Sequence, residues 1–250
     1  MTLETHPTAI ALIPARAGSQ RVILKKIRPI AGHPLIAYSI AAARQSGIFQ
    51  RIVCSTDSSD IARVASYYGA ETPFLRPTEL ASSVSPDIEW IKHALGTLEQ
   101  KYDCFAIVRP TSPFRQPETI QRAWRQLLST PRADSIRAVE LCKQHPGKMW
   151  EIEGDLMRPL LNQSHLSVAW HAGQYQALPK VYVQNSALEI AWTRVVWEDH
   201  CREGKVLAPF LTEGYEGFSI DYEEEWERAE QLAATGRARL PLVEQNPFVP

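Results

Sequence analysis

Between Arg16 and Arg28 the chain gathers residues that can bind an anion: Arg16, Gly18, Ser19, Arg21, Lys25, Lys26 and Arg28. Five apolar residues, Ala9 to Ile13, precede them and read as a buried parallel strand. Pro14 ends that strand, because proline cannot donate to the ladder. No Asp or Glu occurs from Thr5 to Thr56. An unopposed cationic loop after a strand, at the mouth of an α/β sheet, is where a phosphate binds. The competing reading is a solvated basic loop. A lone acid, Asp221, falls at the end of a short predicted strand, Phe218 to Asp221. Cations for a polyphosphate and a carboxylate for its Mg2+ are what nucleotidyl transfer needs. The metal bridges phosphate oxygens, and Lys or Arg neutralises the charge developing on pyrophosphate.

Other chemistries lack their signatures. The sequence has no G-x-G-x-x-G, P-loop, H-E-x-x-H or G-x-S-x-G, and no zinc-spaced Cys/His cluster. Its four cysteines are widely spaced, which argues against a disulfide framework and fits a reducing cytosol. The net charge of -1 argues against a general nucleic-acid binder. No run approaches the roughly 18 apolar residues of a membrane span. Residues 1–8 lack a signal pattern. A soluble, cytoplasmic protein is expected.

The elements that must position these residues alternate. Helix-like patterns start near Leu35, Ile61, Ser85-Pro86 and Pro117. Strand-like runs cover Arg51 to Ser55, Cys104 to Val108 and Ser135 to Leu141. Such alternation predicts a doubly wound, mostly parallel α/β sheet in three layers. Loops 14–28, 55–57, 80–86 and 109–115 then surround one crevice beyond the strand ends. After Cys142 the alternation stops. Met149 to Leu160 reads as a hairpin turning at Gly154-Asp155, and residues 143–180 read as an arm inserted into a single domain spanning 1–250. The arm carries Met149, Trp150, Leu156, Met157 and Trp170, more apolar surface than a lone monomer exposes, so a homodimer is expected. Val181 to Ile190 resumes a strand, Ala191 to His200 a helix, and Tyr222 to Ala234 an acidic helix.

Eight segments, in order and over nearly the whole chain, carry a family resemblance. They are I-P-A-R-A-G-S-Q-R at 13–21 with Lys25, S-T-D at 55–57, Y-G-A at 68–70, F-L-R-P at 74–77, P-T-S-P at 110–113, H-P-G-K-M-W at 145–150, L-P-K-V-Y-V-Q-N at 178–185 and S-I-D-Y-E-E-E-W at 219–226. Together they resemble the acylneuraminate cytidylyltransferases, the CMP-sialic acid synthetase family. The segments at 145–150 and 178–185 look most like the branch acting on bacterial nonulosonates such as legionaminic or pseudaminic acid. The resemblance implies a nucleotidyltransferase-like fold, CTP and an acidic keto-sugar as substrates, and Mg2+ as cofactor. It implies that Arg16 and Lys25 grip the CTP phosphates and that Asp221 holds the metal. Ala15, Ala17, Gly18, Ser19 and Arg21 would approach the nucleotide, with Arg76 and Ser83 near base and ribose. Arg109, Thr111 and Ser112 would border the sugar; Arg109, Arg115 and Lys148 are candidate partners for its carboxylate, since arginine binds carboxylates bidentately. Lys148, Gln176 and Tyr182 belong to the arm and the strand after it; in this family the arm forms the dimer contact and reaches towards the partner's sugar site.

The sequence departs from the family pattern at Gln20, Lys26, Ser83, Tyr175 and Ser219. The last change removes one of two carboxylates from the metal motif. Two alternatives therefore stay open: a weakened or inactive relative that binds nucleotide or acid sugar, and a cytidylyltransferase for a shorter 2-keto-3-deoxy acid.

Overall fold

The computed structural model describes residues 7–18, 21–163 and 165–249. The chain divides into two compact units, Met1–Ala138 with Asn185–Pro250, and Val139–Gln184.

In the first unit, β1 (Ala9–Pro14) leads through a long turn to the short pair β2 (Pro29–Ile30) and β3 (His33–Pro34), then to α1 (Leu35–Gln45). Next come β4 (Arg51–Ser55), α2 (Ser59–Tyr67), α3 (Asp87–Thr97), β5 (Cys104–Ile107), α4 (Pro117–Leu128) and β6 (Ser135–Leu141). β7 (Trp150–Glu153) and β8 (Leu156–Pro159) belong to the second unit, and β9 (Tyr182–Trp192) returns the chain to the first. α5 (Arg194–Trp197), β10 (Leu207–Leu211) and α6 (Glu223–Ala234) complete it.

Six strands form one sheet in the order β10-β6-β9-β5-β1-β4. β1 runs parallel to both β4 and β5, and β9 pairs antiparallel with β5. The central strand shows why the sheet is covered on both faces. Ala9, Ala11 and Ile13 join one core cluster with α1, α2 and α4. Ile10 and Leu12, of opposite parity, join another with Trp90, Ile91, Ala94 and Leu95 of α3 and Val195 and Val196 of α5. A strand buried on both faces must be apolar throughout, and residues 9–13 are. The result is a mostly parallel α/β sheet in three layers. A third cluster packs Val22, Ile30, Leu35, Tyr38 and Phe114 against Ile220, Trp226, Ala229 and Leu232. It brings the end of the chain against the turn after β1.

Three sequence expectations change. Phe218 to Asp221 is not a strand but an extended loop before α6, held where Ile220 N–H donates to the Thr111 carbonyl at 2.9 Å. The expected helix from Ala191 shrinks to Arg194–Trp197, because β9 keeps its pairing through Trp192 opposite Cys104. β10 lies in a stretch given no element.

In the second unit, β7 and β8 form the predicted hairpin, with Gly154 in the left-handed conformation that its turn needs. Lys148 Nζ donates to the carbonyls of Gly173 (2.8 Å) and His171 (3.3 Å). Tyr175 Oη donates to the Lys143 carbonyl at 2.6 Å. Trp150, Ile152, Leu156, Met157 and Tyr175 are exposed.

Candidate active site

The turn after β1 is fixed at both ends. Ala15 N–H donates to the Ser55 carbonyl at 3.0 Å, and Ala17 N–H to Asp57 Oδ1 at 2.7 Å. Further on, Leu24 adopts a left-handed conformation (φ 52°), and its carbonyl accepts from both Ile27 and Arg28. The first N–H groups of a helix lack intrahelical partners. Here Leu35 N–H donates to the Arg28 carbonyl (3.1 Å) and Ile36 N–H to the Lys26 carbonyl (2.9 Å). The start of α1 thus holds the backbone that carries Lys25 and Lys26.

Lys25 is buried. Its Nζ donates to the Ile220 carbonyl at 2.8 Å and lies 3.4 Å from Asp221 Oδ1. Asp221 Oδ2 accepts from Ser219 Oγ at 3.1 Å, so the serine that replaces the second carboxylate orients the first. Glu225 caps α6, accepting from the N–H groups of Asp221 and Tyr222. Arg28 braces the same junction, pairing with Glu223 at 2.7 Å and lying 4.3 Å over the Trp226 ring.

A crevice of two lobes opens above these residues. Arg16, Lys26, Ser83, Arg109 and Thr111 line both. The first lobe adds Arg76, Asp87, Trp90 and the serines at 82 and 85. The second adds Arg21, Lys25, Ser186 and Asp221. Five cations thus face one carboxylate in the second lobe, an arrangement suited to a polyphosphate.

The cations differ in how far the protein already occupies them. Arg109 contacts Asp87 Oδ2 at 2.5 Å and Glu189 Oε1 at 3.4 Å. Burial alone would weaken its proton affinity, but the two carboxylates outweigh it and raise the pKa. Burial would likewise raise the Asp87 carboxyl; Arg109, Trp90 and Arg202 outweigh that and hold it below the usual range. Arg76 donates to Ser55 Oγ (3.0 Å) and to the Ser55 carbonyl (2.7 Å), and lies 5.0 Å over the Trp90 ring. Burial lowers its pKa to about 10. Arg16 has only a long bond to the Ala81 carbonyl, 3.5 Å. Lys26 is half-buried, and its ammonium has no hydrogen-bond or ion-pair partner among the described residues. Burial first, then Lys25, lowers its pKa to about 7.

Of the residues selected from sequence, Arg16, Arg21, Lys25, Arg76, Ser83, Arg109, Thr111 and Asp221 line this crevice. Ala15 and Ala17 sit in its floor loop through the bonds already described. A Cβ at Gly18 would come no closer than 3.8 Å to Arg16, so the fold itself does not demand glycine there. Ser19 and Gln20 lie outside the described residues. Ser112 is buried, its Oγ without a hydrogen-bond partner among the described residues. Lys148, Gln176 and Tyr182 lie in the second unit; Gln176 and Tyr182 are exposed there.

Arg115 needs correcting as a carboxylate partner. It is fully buried, and its guanidinium bonds the Ala187 carbonyl, the Arg109 carbonyl and Ser39 Oγ. It locks three segments together inside the domain, and burial drives its pKa down to about 9. Asp57, Asp87 and Glu189 are site-supporting residues that sequence reasoning left without a role. Asp57 stood inside the S-T-D segment. For the other two, separations of 22 and 80 residues from Arg109 gave no local signal.

A mostly parallel sheet with a cation-lined crevice beyond the end of β1 defines a nucleotide-binding α/β domain of the nucleotidyltransferase type. Two solved structures share that fold over nearly the whole chain. One is a CMP:2-keto-3-deoxy-manno-octonic acid synthetase complexed with CTP (TM-score 0.66, 13% identity, 92% of this chain and 99% of that one). The other is a 4-diphosphocytidyl-2C-methyl-D-erythritol synthase from Anaerococcus prevotii (TM-score 0.62, 13% identity, 91% and 99%). The profile of the cytidylyltransferase family matches residues 10–245, and the chain belongs to that family. A CMP-N,N'-diacetyllegionaminic acid synthase from Legionella pneumophila is 34% identical over 92% of this chain and 98% of its own length. An N-acylneuraminate cytidylyltransferase from Escherichia coli is 43% identical over 46% of this chain and 27% of its own. The chain is thus a cytidylyltransferase.

Proposed function

We propose that the protein transfers the cytidylyl group of CTP to the anomeric hydroxyl of a nonulosonic acid and releases pyrophosphate. The observation that carries this reading is the second lobe, which Arg16, Arg21, Lys25, Lys26 and Arg109 line together with Asp221. The substrate class rests on the named activities of the similar proteins, CMP-N,N'-diacetyllegionaminic acid synthase first.

Asp221 fits a Mg2+ site of the kind that takes one carboxylate and completes its shell with phosphate oxygens and water. Its side chain is about half exposed, at 45%, and faces the lobe. When bound there, Mg2+ would supply charge neutralisation on the phosphates. The chain's own groups do the rest. Arg16 and Arg21 draw in the polyphosphate. Lys25, buried and pinned to the Ile220 carbonyl, keeps Asp221 in place and carries positive charge to the leaving pyrophosphate. Ser219 orients the carboxylate. The exposed apolar side chains of residues 139–184 support a homodimer formed through that unit. A cytoplasmic location agrees with free CTP as substrate. Among the described residues no helix is long and apolar enough to cross a membrane.

The test is a coupled pyrophosphate assay across CTP, UTP, ATP and GTP with a panel of neuraminic, legionaminic, pseudaminic and shorter 2-keto-3-deoxy acids. Turnover is expected with CTP and a nine-carbon acid. Turnover confined to a shorter acid would replace the acceptor. A protein that neither releases pyrophosphate nor binds CTP in calorimetry would be an inactive relative, and the proposal would fall.

A further inference from the structure

We propose that Lys26 is a further catalytic residue, whose ammonium binds the α-phosphate of CTP and stabilises it during transfer. The inference rests on the cytidylyl-transfer reading above and assigns one phosphate to one side chain.

Position comes first. Lys26 belongs to the wall shared by both lobes. One lobe offers Leu80 and the serines at 82, 83 and 85, surfaces for a base and a ribose, over a floor in which Arg76 covers the buried Trp90 ring. The other offers Arg21, Lys25 and Asp221, surfaces for a pyrophosphate and its metal. A nucleoside triphosphate that fills both must place its α-phosphorus between them, at the shared wall.

Availability comes second. Three other basic side chains at this wall or beside it are already engaged. Arg109 is held by Asp87 and Glu189, and Lys25 by the Ile220 carbonyl and Asp221. Arg76 is spent on Ser55. Lys26 has no such bond among the described residues, yet its backbone is anchored, its carbonyl accepting from Ile36 N–H at 2.9 Å. A half-buried cation on a fixed backbone, without a protein partner, is complementary to a ligand anion. Arg16 is the second cation free to help at this wall.

The step balances without further reagents. The acceptor hydroxyl oxygen forms a bond to the α-phosphorus. The bond from that phosphorus to the bridging oxygen breaks, and its electron pair leaves with pyrophosphate. The hydroxyl proton passes to water. Negative charge on the non-bridging α-oxygens is where the Lys26 ammonium acts.

The experiment compares wild type, Lys26→Met, Lys26→Arg and Arg21→Met by calorimetric titration with CTP, CMP and cytidine, with steady-state turnover alongside. Lys26→Met should weaken CMP and CTP by a similar factor, about tenfold or more for a lost charge-assisted bond, and leave cytidine unchanged. Its kcat should fall by about a hundredfold, the usual effect of one lost transition-state donor. Lys26→Arg should recover much of the CMP affinity. Arg21→Met should weaken CTP and spare CMP. Wild-type CMP affinity in Lys26→Met, or a loss confined to CTP, would overturn the assignment to the α-phosphate. Failure of wild type itself to bind CTP would instead overturn the parent reading.

Discussion

Replacing Lys26 by methionine should make the folded protein more stable at pH 7. In the native state the ammonium is half-buried beside Lys25, with no hydrogen-bond or ion-pair partner among the described residues. Its pKa falls from the ordinary 10.5 to about 7, so the folded chain resists the charged form that the unfolded chain accepts. At about 1.4 kcal/mol for each tenfold change in proton affinity, that displacement sets a ceiling of about 5 kcal/mol. The side chain keeps part of its surface open to the crevice, and water there offsets part of the penalty; about 2 kcal/mol is the expected gain. For a chain of this size that is about 4–8 °C in Tm. The sign with pH follows from the two pKa values. Below pH 7 both states hold the proton and the penalty is complete. Between about 7 and 10.5 only the unfolded state keeps it, so wild-type stability rises with pH towards that of the variant. Differential scanning fluorimetry of both proteins from pH 6.5 to 9.5 reads the gap directly. A variant less stable than wild type at pH 7, or a gap that stays constant with pH, would refute the reasoning. The expected stabilisation also makes the CTP and CMP titrations interpretable, because lost affinity would not reflect a damaged fold.

Arg115→Met should cost about 2–4 kcal/mol in urea unfolding, because buried carbonyls and Ser39 lose their donor while a buried charge is relieved; an unchanged midpoint would mean that the guanidinium ties nothing together. Ser219→Asp should tighten the Mg2+ dependence of turnover several-fold by adding a charged oxygen ligand beside Asp221, and a weaker dependence would show that the serine is needed to orient the single carboxylate. Asp57→Ala frees the Ala17 N–H and should raise the KM for CTP about tenfold through a looser loop, which steady-state kinetics would measure against an unchanged Tm. Ile152→Glu with Leu156→Glu should shift sedimentation velocity towards the monomer, and an unmoved profile would place the dimer contact elsewhere.

The sequence exposed the central strand, its cationic turn and the helices α1 to α4, because those features are local. A continuous apolar run, a proline stop and 3.6-residue spacing each lie within one window. What it hid depends on partners distant in the chain. β10 was missed because Pro209 breaks the strand signal. Prolines are confined to sheet edges and strand starts, and β10 is the edge strand of its sheet, with Ala208 and Phe210 inward. Asp221 lines the crevice, but its segment reads as a strand in the sequence, since four residues carry too little pattern to separate strand from loop. Arg115 looked like a ligand for a carboxylate because an arginine beside P-T-S-P reads the same whether it faces solvent or the core. In the sequence Lys26 is one of several cations in the turn and a departure from the family pattern. Only the structure shows its neighbour Lys25 turned down to the Ile220 carbonyl and Lys26 left facing the crevice.

The bond from Lys25 to Ile220 joins residues 195 apart in the chain. Ribosomes add roughly 5–20 residues per second, so about 10–40 s separate the synthesis of the two ends of this contact. During that interval the nascent chain has its cationic turn but neither Asp221 nor the α6 surface on which Val22 and Arg28 rest. The strands and helices of the early sheet can assemble first; the crevice is closed only once residues 220–234 have been made. Nucleotide binding thereby waits for residues beyond 220, and a truncated product ending before residue 220 would carry an exposed basic loop with no competent site.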